Sequence, residues 1–125
     1  PHLVDAGFEI INPVQTNVQH MDPKFLKREF GKGVTFWGGG ADTRNVLNRG
    51  TVDQVCSHVR EQVEILATDG GFVFNTIHNI MPDVPPENVV AMFDTIKGMQ
   101  RSSERLGMAL RMVGESGSPS KAALC

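Results

Sequence analysis

The stretch GFVFNTIHNIMPDVPPENVVAMFDTI, residues 71–96, decides the fold of this chain. Its first half is a continuous apolar run, which is typical of a buried strand. Pro85-Pro86-Glu87 is typical of a helix start, because proline is favoured at the first helical position. His78 and Asn79 lie between the two, where a βα unit displays functional side chains. The spacing predicts that the helix buries a face formed by Val89, Val90, Met92, Phe93 and Ile96.

A similar unit begins near the N-terminus. The run FEIINPVQ, Phe8–Gln15, predicts a buried strand that stops at Pro13. Asp22 stands directly before Pro23 and is a typical helix cap, and Gly31 closes the predicted helix.

Another unit lies between these two. The run VTFWGGGAD, Val34–Asp42, predicts a strand, and Thr51 predicts the cap of an amphipathic helix that ends at Asp69-Gly70-Gly71. The predicted buried face of this helix is formed by Val52, Val55, Cys56, Val59, Val63, Leu66 and Ala67.

The order of these units predicts an α/β chain with parallel strands. Continuous apolar strands are typical of sheets that are covered on both faces, and right-handed crossovers make such strands parallel. Ligands of such folds bind at the carboxyl ends of the strands.

Composition limits the partners. The chain has 125 residues, a formal net charge of −2 and a pI near 6.1, so it has no basic footprint for nucleic acid or an anionic membrane. Cys56 and Cys125 form no disulfide framework, which favours a reducing, cytoplasmic location. No apolar run approaches the roughly 20 residues that a membrane span needs.

Three segments carry a family resemblance: GFEIINPVQ, LKREFGKGVTFWGGGADT and GGFVFNTIHNIMPDVPPENVVAMFDTI. Together they are similar to the C-terminal part of the uroporphyrinogen decarboxylase superfamily, which includes the haem-pathway decarboxylase and cobalamin- or corrinoid-dependent methyltransferases. The resemblance implies a partial (β/α)8 TIM barrel of three C-terminal βα units over residues 1–99. Residues 100–125 do not resemble the family, and their spacing predicts a helix from about Ser103 to Val113 followed by a flexible tail.

The resemblance also implies a catalytic group. His78 matches the family's histidine at the end of the last strand, and we expect it to be catalytic. Asp42 and Asn79 are expected to join it because they also lie at the carboxyl ends of strands. Because neighbouring parallel strands end at one rim, we expect the Asp42 carboxylate to raise the pKa of the His78 imidazole or to fix its tautomer. His78 as a core or capping residue, and Asn79 as a loop cap, remain the alternatives.

Substrate-binding residues are expected on the same rim. Asn12 and Gln15 close the first strand, although either side chain can instead serve the loop backbone. Trp37, Gly39 and Gly40 end the second strand, with a core tryptophan and a tight glycine turn as the alternatives.

The other acidic and histidine side chains considered are predicted to have no part in the site. Asp83 is interpreted as a turn residue. His2, His20 and His58 have no polar company in the sequence and are expected to be solvated.

The sequence leaves three functions open. The first is a decarboxylase-like lyase acting on a carboxylated small molecule. The second is a corrinoid-dependent methyltransferase in which His78 is a zinc ligand, although a catalytic zinc site needs about three protein ligands. The third is a truncated binding module or a promiscuous hydrolase. Because three strands cannot close a barrel, we also expect the chain to form a homo-oligomer, with a fragment of a longer parent as the alternative.

Overall fold

The computed structural model describes residues 2–105, with side chains to residue 102. The elements in chain order are α1 (His2–Asp5), β1 (Ile10–Ile11), α2 (Pro23–Phe30), β2 (Thr35–Trp37), a π-helical turn (Thr43–Leu47), α3 (Val52–Leu66), β3 (Phe72–Val73) and α4 (Pro86–Arg105). No helix in this described part of the chain is both long and apolar enough to cross a membrane.

The three strands form one parallel sheet in the order β1-β2-β3. Ile10 pairs with Thr35, Phe36 pairs with Phe72, and an isolated parallel bridge between Ala41 and Thr76 continues the pairing beyond the strands. The predicted α/β class and parallel direction are confirmed, and the strands pair consecutively. All three strands therefore end at one rim of the sheet. Closure into a partial barrel stays a prediction.

The strands are shorter than the apolar runs that predicted them. β2 ends at Trp37 because Gly38 and Gly39 have φ values of 108° and 82°, which lie outside the extended region. The predicted strand Val34–Asp42 is therefore wrong in its second half, where the glycines turn the chain toward the rim.

Among residues 2–105, helices cover one face of the sheet. Consecutive parallel strands joined by right-handed crossovers place α2 and α3 on the same side. Phe36 points to that side and is 3% exposed, whereas Ile10 and Trp37 are 54% and 38% exposed. Cover on the second face is therefore not seen in this part of the chain and stays a prediction.

The predicted helix starts of α2 and α3 are confirmed. The Asp22 carboxylate accepts a hydrogen bond from Phe25 N at 2.8 Å, and Gly31 is the C-cap of α2. Thr51 and Gln54 form a reciprocal capping box at α3. The predicted face of α3 is buried at Val55, Cys56, Val59, Val63 and Leu66, whereas Val52 in the first turn is 37% exposed.

Helix α4 packs on α3 through a stripe at helical spacing that includes Ala91, Met92 and Ile96. Val90 and Phe93 were predicted to be buried with this stripe, but they are 57% and 43% exposed because they project from the opposite side of α4. The helix runs continuously through residues 99 and 100 to Arg105, so Ser103, where a separate helix was expected to begin, lies inside α4. The rest of the predicted C-terminal helix and tail lies outside the described residues.

Candidate functional site

A cleft of about 450 Å³ opens at the rim where the strands end. The loop after β1, the π-turn region and the loop after β3 all contribute to it. Its lining residues are Gln15, Asn17, Thr43, Arg44, Asn48, Arg49, Ile77, His78, Asn79, Met81 and Asp83. Three of the residues expected at the rim, Gln15, His78 and Asn79, share this cleft.

Asp42 organises the loop beside the cleft. Its side chain is the N-cap of the π-turn, where Oδ1 accepts hydrogen bonds from the backbone N–H groups of Arg44 and Asn45, both at 3.0 Å. Oδ2 accepts hydrogen bonds from Asn45 Nδ2 at 2.8 Å and Asn17 Nδ2 at 3.1 Å. The carboxylate thus ties the loop after β1 to the turn that carries Arg44.

These hydrogen bonds determine the charge state of Asp42, which is only 6% exposed. Burial alone would raise the pKa of this carboxyl group. The donors from Asn45, Asn17 and Arg44 together outweigh burial and hold the pKa of Asp42 below its ordinary value. Asp42 is therefore a buried, ionised support of the π-turn and is absent from the cleft lining.

His58 on α3 is the imidazole that meets Asp42. The Asp42 backbone N–H donates to His58 Nε2 at 3.2 Å, so Nε2 is unprotonated and the neutral ring carries its proton on Nδ1. Burial lowers the pKa of His58, although the negative charges of Asp42 and Glu61 oppose this effect. The expectation that His58 is solvated and without company is wrong, because its partner is a backbone group that no sequence pattern reveals.

The expected pair of Asp42 and His78 is not formed among residues 2–105, because both Asp42 side-chain oxygens accept hydrogen bonds from other donors. The histidine that contacts Asp42 is His58, which binds its backbone N–H. His78 and Asn79 are exposed and line the cleft. Their loop is held by Thr76, whose Oγ1 donates to the His78 carbonyl oxygen at 2.6 Å. The alternative that His78 is a core residue is thereby wrong.

Two arginines that the sequence analysis did not single out line the cleft with His78. Arg44 and Arg49 are exposed, and neither guanidinium forms an ion pair with a side chain described here. The acid in the cleft, Asp83, accepts a hydrogen bond from Asn48 Nδ2 at 2.6 Å and lies in a turn, as predicted. The sequence did contain a signal for these residues, because both arginines follow soon after the end of the second predicted strand.

Asn88 fixes the C-terminal end of the segment that carries Arg44 and Arg49. This residue is 2% exposed and lies in the first turn of α4. Its Nδ2 donates to the carbonyl oxygens of Leu47 and Gly50, at 2.9 and 2.8 Å. Asp42 and Asn88 thus hold the two ends of the segment that carries Arg44 and Arg49.

The remaining expected binding residues lie outside the cleft. Asn12 Nδ2 donates to the Trp37 carbonyl oxygen at 3.2 Å, so Asn12 serves the loop backbone. Trp37 is on the uncovered face of the sheet. Gly39 and Gly40 are buried, and a side chain at Gly40 would collide with the ring of Phe74. These glycines allow close packing between the loop and the neighbouring strand end.

A larger cleft, of about 510 Å³, lies between α2 and the end of α3. Two of its cations have partners: Lys27 Nζ donates to the Gly70 carbonyl oxygen at 2.5 Å, and Arg28 pairs with Glu29 at 2.7 Å. Glu64 and Asp69 supply opposing charge. This cleft lies near the amino ends of β2 and β3, away from the rim.

The described residues do not fit the zinc hypothesis. No group of three or more His, Cys, Asp or Glu side chains in residues 2–105 is arranged to hold a metal ion. A catalytic zinc site requires about three such ligands. His78 therefore belongs to no three-ligand group in this part of the chain.

The parallel sheet and its rim define an α/β chain with a polar cleft at its strand ends. The family model described as uroporphyrinogen decarboxylase (URO-D) matches residues 2–99. The chain therefore belongs to the uroporphyrinogen decarboxylase family, and the expected family is confirmed. In the same comparisons, no curated protein and no solved structure matches the chain.

Proposed function

We propose that the rim cleft belongs to a decarboxylase-like lyase site and binds a carboxylated small molecule. The observation that carries the proposal is that Arg44, Arg49 and His78 line one cleft at the carboxyl ends of parallel strands. Membership of the uroporphyrinogen decarboxylase family supports the same reaction class.

The charges of the cleft favour an anionic ligand. Arg44 and Arg49 supply two positive charges against the single carboxylate of Asp83. A guanidinium is planar and always protonated, and it binds a carboxylate through two parallel hydrogen bonds. A ligand with more than one carboxylate would engage both arginines.

His78 is the proton carrier in this proposal. Decarboxylation breaks the bond between a carbon atom and its carboxylate, releases CO2 and leaves the electron pair on that carbon, which then takes a proton. An imidazole exchanges protons in the neutral pH range, so a protonated His78 beside the bound ligand would supply that proton. Asn79 would orient the substrate by hydrogen bonding.

Calorimetric titration with propane-1,2,3-tricarboxylate tests carboxylate binding. Replacing both arginines, as Arg44→Gln with Arg49→Gln, should weaken binding at least about tenfold, because each charge-assisted hydrogen bond contributes about 1.5–3 kcal/mol. The matched control is Arg28→Gln on α2, which lies outside the cleft and should bind like wild type. Equal affinities for the double variant and the control would contradict the proposal.

The lyase chemistry requires its own assay. Release of CO2 from uroporphyrinogen should be detectable with the wild-type chain and abolished by His78→Ala. Release that survives this substitution, with the fold intact, would contradict the role of His78 as proton carrier. No release from the wild-type chain would favour the binding-module interpretation over the lyase.

Self-association is the other part of the proposal. The outer edges of β1 and β3 are unpaired within residues 2–105, and Ile10 and Trp37 are exposed on the uncovered face of the sheet. We expect light scattering to show an oligomer and Ile10→Lys to shift it toward monomer. The control is Val90→Lys on the outer side of α4. A wild-type monomer would contradict self-association.

A further inference from the structure

We propose that His58 is a positioning residue of the rim cleft. Its imidazole accepts the Asp42 backbone N–H and thereby holds the cap that directs Arg44 toward the ligand. This inference rests on the proposed function, because it concerns the residue that controls the arginine of that same cleft.

The connection has two steps. α3 carries His58, which is partly buried and whose Nε2 lies 3.2 Å from Asp42 N. Asp42 in turn accepts the backbone N–H groups of Arg44 and Asn45, which begin the π-turn. The well-packed helix α3 is thus linked by a hydrogen bond to the loop that carries the cleft arginine.

The link requires a neutral imidazole. A protonated ring has hydrogen on both nitrogens, so Nε2 would then face the Asp42 N–H as a second donor. Burial lowers the pKa of His58 and favours the accepting form. The charged groups acting on the ring are Asp42, from the loop before the π-turn, and Glu61 on α3. The structure gives no interaction of the ring with a charged group of α2 or α4 among the described residues.

The lowered pKa of His58 determines the pH at which its hydrogen bond to Asp42 is lost. The cap is intact above the ordinary histidine pKa of about 6.5 and is lost as the pH falls through the lower pKa of folded His58. Carboxylate binding through Arg44 should therefore lose the His58 contribution at acidic pH. His78 also lines the cleft, so the test has to separate His58 from it.

Two substitutions isolate His58 from His78. His58→Gln can keep an acceptor at every pH, whereas His58→Leu removes the acceptor. We expect His58→Leu to bind propane-1,2,3-tricarboxylate about fivefold more weakly at pH 7.5, which corresponds to one hydrogen bond. His58→Gln should bind within about twofold of wild type at that pH. His2→Gln, at an exposed histidine of α1, is the matched control and should bind like wild type.

The pH profile separates positioning from a structural role. His78 is present in both wild type and His58→Gln, so the ratio of their dissociation constants reports His58 alone. We expect the ratio of the wild-type to the His58→Gln dissociation constant to rise as the pH falls from 7.5 through the lowered pKa of folded His58, because only the wild type loses its acceptor. A ratio that stays constant would overturn the proposal.

A readout without ligand keeps this test separate from the proposed function. In nuclear magnetic resonance spectra of the wild-type chain, His58 should be the Nδ1–H tautomer at pH 7.5. The backbone amide signals of Asp42 and Arg44 should titrate together with His58. Amide signals that do not follow His58 would overturn the positioning role. Amides that follow His58 in a chain that binds no tricarboxylate would uphold the link and refute only the proposed function.

Discussion

The loops after β2 and β3 begin alike and serve different purposes. Each follows a parallel strand, and each places polar side chains at the same rim, with Asp42 in one loop and His78 with Asn79 in the other. Asp42 is buried and both of its oxygens accept hydrogen bonds, whereas His78 is exposed and lines the cleft. A polar residue at a strand end can therefore be a support or a ligand-facing group, and burial with saturated hydrogen bonds distinguishes the two.

The largest expected effect is the loss of the support. Asp42→Ala removes the acceptor of four hydrogen bonds in a buried setting, so we expect the free energy of unfolding to fall by about 3 kcal/mol. Urea denaturation followed by circular dichroism measures this change. A loss below about 1 kcal/mol would make Asp42 no more structural than an exposed rim residue.

Substitution of Asn88 tests whether the fold also depends on the other end of the segment that carries Arg44 and Arg49. Asn88→Ala leaves two carbonyl oxygens, of Leu47 and Gly50, without their buried donor, and should cost about 2 kcal/mol of unfolding free energy. The matched control is Asn79→Ala, whose exposed side chain makes no such bridge between elements. Equal stability of the two variants in urea would show that the segment does not depend on α4.

A smaller change in the free energy of unfolding is expected when the pH is lowered. Because burial lowers the pKa of His58, the unfolded chain takes up this proton first, and the stability of the fold should decline as the pH falls below about 6.5. Above that pH the contribution is complete. Urea denaturation between pH 7.5 and 5.5, which stays above the titration of Asp42, should show a weaker decline for His58→Gln. Parallel declines would assign the pH dependence to other groups.

The smallest stability change is expected at His78. His78→Ala removes an exposed side chain and should alter the free energy of unfolding by less than about 0.5 kcal/mol. Its tricarboxylate affinity should nevertheless fall. A stability loss comparable to that of Asp42→Ala would erase the difference between the two loops.

The sequence predicted those parts of the fold that depend on local physics. Helical spacing and caps such as Thr51 identify α2, α3 and the start of α4, because these signals lie within a few residues of each other. The predicted strands were too long because apolar character does not mark where Gly38 and Gly39 leave the extended conformation. Val90 and Phe93 are exposed because another face of α4 meets α3. Helical spacing alone does not show which face that is.

The sequence predicted where the strand ends meet, but not the hydrogen-bond partners of the residues there. The rim follows from the order of the strands, whereas the exposure of His78 and the partners of Asp42 do not. Asn17 is 25 residues away, and His58 binds through the Asp42 backbone N–H, which has no side-chain signature. Tertiary packing alone brings these groups together.

Chemical-shift mapping of the wild-type chain during titration with propane-1,2,3-tricarboxylate shows whether the rim cleft binds carboxylates. We expect saturable shifts of the Arg44 and Arg49 guanidinium signals and of His78, with little change at Lys24 and Lys32 beside the α2 cleft. Saturable shifts at the α2 cations, or no saturable shift in any of these groups, would contradict the claim that the rim cleft binds carboxylates.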